Sequence, residues 1–233
     1  MKLPATIFRQ YDIRGLVDKE LTPATARAVG QAYTTFAWQR LGGTTKPRVA
    51  VGRDNRPSGA RLAQGVAEGI AAAGGAAVDV GELPTPALYF ATKTLPVDGG
   101  IQVTGSHNPP EFNGFKMVLA HDAVFGDDIQ VLHRLIDDDK LASRPGGTMA
   151  AHQNLLPDYR KAIVQRNTPL ARRLRVVVDC GNGVTSLVAV ETLRDLGADV
   201  VALFAESDGT FPHHHPDPTV LENLHDLQAA VKQ

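Results

Sequence analysis

The stretch Thr104-Gly105-Ser106-His107-Asn108-Pro109-Pro110, followed by Asn113-Gly114-Phe115-Lys116, places a hydroxyl, an imidazole and an ammonium close together in the chain. Three chemistries fit it. Ser106 and Asn108 could do no more than satisfy backbone groups in a polar turn. Ser106 beside His107 could be a hydrolytic nucleophile, but adjacent side chains usually point apart, and neither a Gly-x-Ser-x-Gly elbow nor a triad order is present. Ser106 could instead carry a phosphoryl group, with Lys116 as a cation or proton donor and glycine amides around it. Spacing alone leaves all three open.

The elements that must position this loop are legible around it. The run 100–103 is apolar and β-branched, 115–119 looks like a second strand, and the loop between them presents Ser106. Gly105 and Gly114 permit a close backbone approach, and Pro109-Pro110 stiffen the exit. Further back, 8–15 (Phe8-Arg9-Gln10-Tyr11-Asp12-Ile13-Arg14-Gly15) reads as an edge strand. A helix is expected over 21–41, capped by Thr22 with Pro23 at its first position. A strand over 48–52 turns through Arg53-Asp54-Asn55-Arg56-Pro57-Ser58-Gly59 into a helix over 59–73, with Ser58 as the expected cap and Asp54 pairing with Arg53 or Arg56 inside the turn. Strand 76–80, helix 85–94 and helix 127–139 complete the alternation, which predicts a layered α/β fold. Asp137-Asp138-Asp139 fan apart on a helix and read as solvated rather than metal-binding. The segment 141–150 carries Pro and Gly without apolar period and reads as a linker.

Three motifs in order resemble the α-D-phosphohexomutases, specifically their phosphomannomutase/phosphoglucomutase branch: Tyr11-Asp12-Ile13-Arg14-Gly15, the Ser106 loop with Asn113-Gly114-Phe115-Lys116, and Val178-Asp179-Cys180-Gly181-Asn182-Gly183. Gly105 stands where the phosphoglucosamine mutases of that family typically carry Ala. The resemblance implies that Ser106 is phosphorylated and passes its phosphoryl group to a phosphorylated hexose, forming a bisphosphorylated sugar that returns the other phosphate. It makes Ser106, Lys116, Arg14 and His107 the candidate catalytic residues, and Tyr11, Arg14 and Lys116 the candidate substrate contacts; Arg9 carries less weight. It implies magnesium, bound through the phosphate on Ser106 and through carboxylates of an Asp-x-Asp-x-Asp loop that this sequence does not contain. The implied division is a first α/β/α domain with a mixed sheet over 1–151, with the phosphoserine loop, and an incomplete second α/β domain of the same type over 152–233. A piece of that kind is expected to be inactive by itself, and its rival reading is a non-catalytic phosphoprotein or phosphosugar-binding fragment.

The remaining sequence is compatible with this. With 43% hydrophobic residues, 21% charged residues and a formal net charge of -1, the chain has no general attraction for nucleic acid or an anionic membrane, so phosphate affinity must come from local cations. The lone Cys180 excludes an intrachain disulfide framework, and no apolar run approaches ~20 residues, which together suggest a cytoplasmic protein. Its oligomeric state is left open. Beyond the linker, helix 155–165, strand 174–179, a helix through residue 196, strand 200–203 and a last helix over 221–231 are expected. The Gly181-Asn182-Gly183 turn reads as a tight strand-to-helix connection rather than an anion site. The histidines of Phe211-Pro212-His213-His214-His215-Pro216-Asp217-Pro218 alternate in direction and are not expected to share one metal ion.

Overall fold

A computed structural model describes residues 1–168 and 170–233. In chain order the elements are β1 (Ile13–Leu16), α1 (Pro23–Arg40), β2 (Arg48–Arg53), α2 (Gly59–Ala72), β3 (Ala76–Glu82), α3 (Thr85–Thr94), β4 (Gly99–Val103), β5 (Phe112–Leu119), β6 (Asp122–Ala123), α4 (Asp127–Asp137), β7 (Thr148–Ala151), α5 (Leu155–Arg166), β8 (Arg175–Asp179), α6 (Ala189–Asp195), β9 (Asp199–Leu203) and α7 (His225–Val231). Seven strands make one mixed sheet in the order β1-β5-β4-β2-β3-β7, with β6 paired to β5; β8 and β9 form a separate parallel pair. Strands β4, β2, β3 and β7 run parallel, while β1, β5 and β6 are antiparallel to their neighbours.

The alternation of strand residues sends Val49, Val51, Ile101, Val103 and Phe115 to one face, where α1, α2 and α4 cover them with Ala26, Leu62, Val66, Ile129 and Leu132. The opposite face carries Ala50 and Val80 under Leu88 and Ala91 of α3, joined by Leu155 at the start of α5. Helix α1 begins as its sequence directs: Thr22 accepts a hydrogen bond from the Thr25 amide at 3.1 Å, and Pro23 occupies the first turn. Helices α1 and α2 meet backbone to backbone, because a Cβ on Gly69 would fall 2.0 Å from the Arg27 carbonyl oxygen and one on Gly30 2.2 Å from that of Val66.

The course of the chain across the sheet decides where a ligand can enter. Strand β3 lies on one side of β2 and β4 on the other, so the direction of travel reverses at β2. The loops after β2 and β4 therefore open side by side at the carboxyl ends of their strands, the place where open α/β sheets form a crevice.

Three expectations are corrected. Ser58 is not a helix cap: its backbone is already helical, and its hydroxyl accepts from Asn113 Nδ2 at 2.8 Å. The linker 141–150 is not all linker, since β7 pairs with β3 from Ala76↔Thr148 to Asp79↔Ala151 and closes the far edge of the sheet. The two late helices are shorter than expected, each preceded by a 3-10 turn, Val184–Leu187 and Leu221–Leu224.

Candidate active site

Ser106 sits in the β4–β5 loop with φ at +55°, a left-handed conformation that costs a non-glycine residue of order 1–3 kcal/mol and persists only where its surroundings impose it. Here the surroundings are Asp54 and Arg56 of the neighbouring β2 loop. Asp54 Oδ2 accepts from the Thr104 hydroxyl at 2.7 Å and the Gly105 amide at 3.1 Å, and the Ser106 amide donates to Thr104 Oγ1 at 3.0 Å. The Arg56 side chain is buried and pairs with Asp54 at 3.3 Å. Its remaining N–H groups donate to the carbonyls of Ser106 (3.0 Å), Asn108 (2.6 Å), Pro109 (2.7 Å) and Phe112 (3.0 Å). Burial pushes the Arg56 pKa down, and Asp54 works against that shift. Held in this way, the loop leaves Ser106 exposed.

The positive φ also turns Ser106 and His107 to the same side, with Oγ and Nδ1 3.3 Å apart, contrary to the expectation that adjacent side chains diverge. On the adjoining strands, Arg14 lies opposite Gly114, so Lys116 falls two residues further along on the same face. Arg14 donates through Nη2 to Asp12 Oδ2 at 2.5 Å and through Nη1 to Asn108 Oδ1 in the serine loop. Lys116 Nζ reaches the same Asp12 oxygen at 3.2 Å. The Arg14 Nε is buried with no protein partner. Arg14, Lys116 and Arg56 face Asp12 and Asp54, and Glu111 of the same loop also acts on Arg56. Ser106, His107, Arg14 and Lys116 are thus gathered at one place, while Tyr11 stands 73% exposed beside Asp12 and outside this network.

Sequence reasoning missed much of what builds the site. It anticipated the Asp54–Arg56 pair, but Arg53 instead faces Asp79 at 3.6 Å, and the hold of Arg56 on four loop carbonyls was not foreseen. Asp12 and Asn113 were read only as motif letters, and Asn108 only as a polar-turn residue. The buried Asn113 fixes the start of β5 by accepting from the Gly114 amide and donating to Ser58.

Across the crevice stands the β8 turn. Asp179 Oδ1 accepts from the Gly181 amide at 2.8 Å, and the Asp179 carboxylate takes His214 Nε2 at 3.1 Å. His214 Nδ1 donates to the His215 carbonyl at 3.0 Å, so both ring nitrogens meet acceptors, an arrangement suited to the imidazolium. Burial alone would lower the His214 pKa; the His215 carbonyl and Asp179 outweigh it and raise the pKa. His213 turns to Asn182 Oδ1 at 2.7 Å, so the neighbouring histidines serve separate partners. A cavity of about 400 Å³ lies between the two sheets, bounded by Asp54, Thr104 and Ser106 on one side and by Asp179, Cys180, Thr185 and Phe211 on the other.

Among the described residues no group of three or more His, Cys, Asp or Glu is arranged to hold a metal ion. Asp12 and Asp54, which flank the loop, are engaged by Arg14, Lys116 and Arg56. The residues described do not by themselves make a magnesium site.

Residues 5–141 match the family described as phosphoglucomutase/phosphomannomutase, alpha/beta/alpha domain I, and residues 157–233 match alpha/beta/alpha domain II of the same description. The chain belongs to the phosphoglucomutase/phosphomannomutase family. Among relatives, the phosphomannomutase/phosphoglucomutase of Pseudomonas syringae pv. tomato is 46% identical over 231 residues, covering 99% of this chain and 48% of that protein. A phosphoglucomutase of Neisseria meningitidis serogroup A is 39% identical over 226 residues, covering 97% and 48%. The crystal structure of a phosphoglucomutase/phosphomannomutase family protein from Burkholderia thailandensis superposes with a TM-score of 0.91 at 42% identity, over 99% of this chain and 50% of that one. The chain spans about half the length of the curated relatives it matches. Membership in the family bears out the resemblance read from the three motifs and the mixed α/β fold expected with it.

Proposed function

We propose that Ser106 is the phosphoryl carrier of a phosphohexomutase, interconverting hexose 1-phosphate and hexose 6-phosphate in a protein of the relatives' length. The observation that carries this reading is an exposed hydroxyl on a loop held at positive φ, with Arg14 bonded to Asn108 of that loop and Lys116 sharing Asp12 with Arg14. In the first half-reaction the bond from phosphorus to Ser106 Oγ breaks as a bond to a sugar hydroxyl forms, the sugar's proton being taken up at the site and Oγ gaining one. In the second, the other phosphate of the bisphosphorylated sugar leaves its sugar oxygen for Ser106 Oγ, and the protons move the opposite way. The transferred oxygens gain negative charge on the way, so positioned cations do more for the rate than covalent chemistry does. Arg14 offers a planar fork for phosphate, and Lys116 a mobile point charge. His107, 3.3 Å from Oγ, is placed to hand a proton to the leaving hydroxyl. Tyr11 is proposed to meet the sugar from the rim. Magnesium, when bound through the phosphate, would neutralise further charge.

We keep the division at 151/152 as part of this proposal, with the phosphoserine loop in the first domain. Phosphate on Ser106 should be detectable in the 233-residue chain as a mass increase of one phosphoryl group that maps to that residue; phosphate elsewhere, or an unchanged mass shift in Ser106→Ala, would reject the assignment. These residues alone are proposed to hold the phosphoryl group without completing the exchange. Losing one preorganised electrostatic donor typically costs ~2.7–4 kcal/mol in barrier height. Conversion of glucose 1-phosphate by the purified 233-residue chain, with a sugar bisphosphate as activator and host mutase excluded, is expected to lie below detection.

A further inference from the structure

The Arg56 guanidinium uses all five of its N–H groups within the protein, one on Asp54 and four on carbonyls of residues 106–112. Such saturation makes Arg56 part of the loop's framework and leaves it no donor for a ligand. Gly105 is required for this arrangement, because a Cβ there would lie 2.3 Å from Arg56 Cζ. Over the same guanidinium, 5.4 Å from Cζ, lies the ring of Phe211 from the segment after β9. Phe211 has φ at +52°, an outlying conformation for a bulky residue. The residues before it are seated on the same β2 loop. Asn55 Nδ2 donates to the Asn182 carbonyl at 2.7 Å and to Ser207 Oγ at 3.0 Å, and Gly209 packs so close that a Cβ on it would fall 2.1 Å from the Asn55 carbonyl oxygen.

We propose that Arg56 is a positioning residue that holds Ser106 in its reactive conformation, and that Phe211 makes this hold depend on how the β8–β9 sheet is seated against the first sheet. The claim rests on the reading of Ser106 as phosphoryl carrier. Arg56 acts on the backbone that sets the direction of the hydroxyl, and Phe211 restricts the guanidinium from its open face. Lysine at position 56 would keep a charge but lose the planar fork that matches four carbonyls at once.

The test uses the 233-residue chain and glucose 1,6-bisphosphate as phosphoryl donor, with Ser106 occupancy followed by intact mass and the exchange of amides 104–112 followed by mass spectrometry. For Arg56→Lys the maximal rate of phosphate uptake should fall about 100-fold, the effect of a misplacement of about 1 Å, while the donor concentration giving half-maximal rate stays unchanged. Exchange should rise within 104–112 and not in α1 or α2. Phe211→Ala should slow uptake about two- to five-fold, the range of an exposed cation–π contact, and the double variant should be no slower than Arg56→Lys alone. A wild-type maximal rate in Arg56→Lys overturns the positioning role, and independent, multiplicative effects of the two substitutions overturn the link through Phe211. If the wild-type chain takes up no phosphate, the carrier reading fails and the exchange measurement decides the rest: unchanged protection of 104–112 in Arg56→Lys refutes the hold, and a local loss supports it. Should Arg56→Lys not fold, Phe211→Ala replaces it, and unaltered loop exchange in that variant counts against the proposal.

Discussion

Asp12 decides how the cations beside Ser106 behave before any ligand arrives. One of its oxygens serves both Arg14 and Lys116, and the side chains of Asp12 and Arg14 are only 8% and 10% exposed, whereas that of Lys116 is 27% exposed. Lys116 is therefore the group freer to swing toward a phosphate, with Arg14 fixed as a platform. Removing the shared partner strands two cations, one of them deep. Breaking a buried pair from one side costs about 3–5 kcal/mol, so Asp12→Ala should lower the denaturant midpoint measurably more than Lys116→Met does. Charge-assisted contacts are worth about 1.5–3 kcal/mol, and Arg14→Ala is accordingly expected to weaken binding of a hexose phosphate about ten-fold or more by calorimetry. Equal affinities would remove Arg14 from the site. Ser106, Arg14 and Lys116 stand out in the sequence because their motifs are contiguous. Arg56 could not be read in full, since the carbonyls it holds come from residues about fifty positions away and backbone acceptors leave no mark in side-chain identity. Its pairing with Asp54, two residues distant, was within reach.

The helices that carry the sheet were legible from their apolar spacing, although of the two expected caps only Thr22 of α1 acts as one. What the spacing did not convey is how closely α1 and α2 approach. At Gly69 and Gly30 a Cβ would collide with a carbonyl of the facing helix. A methyl group at position 69 has no space to enter, so Gly69→Ala should force the helices apart. Overpacking of this kind typically costs about 1–3 kcal/mol, which in a chain of this size lowers Tm by about 2–12 °C. A Tm equal to wild type would mean that the helix pair relaxes freely. Thr22→Ala should cost about 1 kcal/mol through loss of the cap. Strand β7 escaped notice for a different reason. Thr148-Met149-Ala150-Ala151 has little β-branched character and follows Pro145-Gly146-Gly147, and only the open edge of β3 makes it a strand.

Across the whole molecule the two sheets differ in how firmly they are packed. No residue of β8 or β9 is fully buried, whereas every residue of β4 is. Amides of 175–203 should consequently exchange faster than those of β2 and β4, and equal protection would contradict this. The β8 side also carries a pH response. His214 has a folded-state pKa above its ordinary value, so its contribution is complete below the unfolded pKa of about 6.5 and is lost as pH rises through the folded pKa. Thermal stability of the β8–β9 region should therefore decline from about pH 6.5 upward in the wild type, and His214→Gln should flatten that decline; a slope unchanged by the substitution would assign it to another group. The pairing of β1 with β5 has a consequence for a chain made from its amino terminus. Arg14 and its partner Gly114 are 100 positions apart. At about 5–20 residues per second, β1 leaves the ribosome about 5–20 s before the strand it must join. Through that interval Asp12 has Arg14 but no Lys116, and the two cations come together only when β5 is threaded between β1 and β4. The cations of the site thus meet only when β5 emerges, after α1, α2 and α3 and before α4.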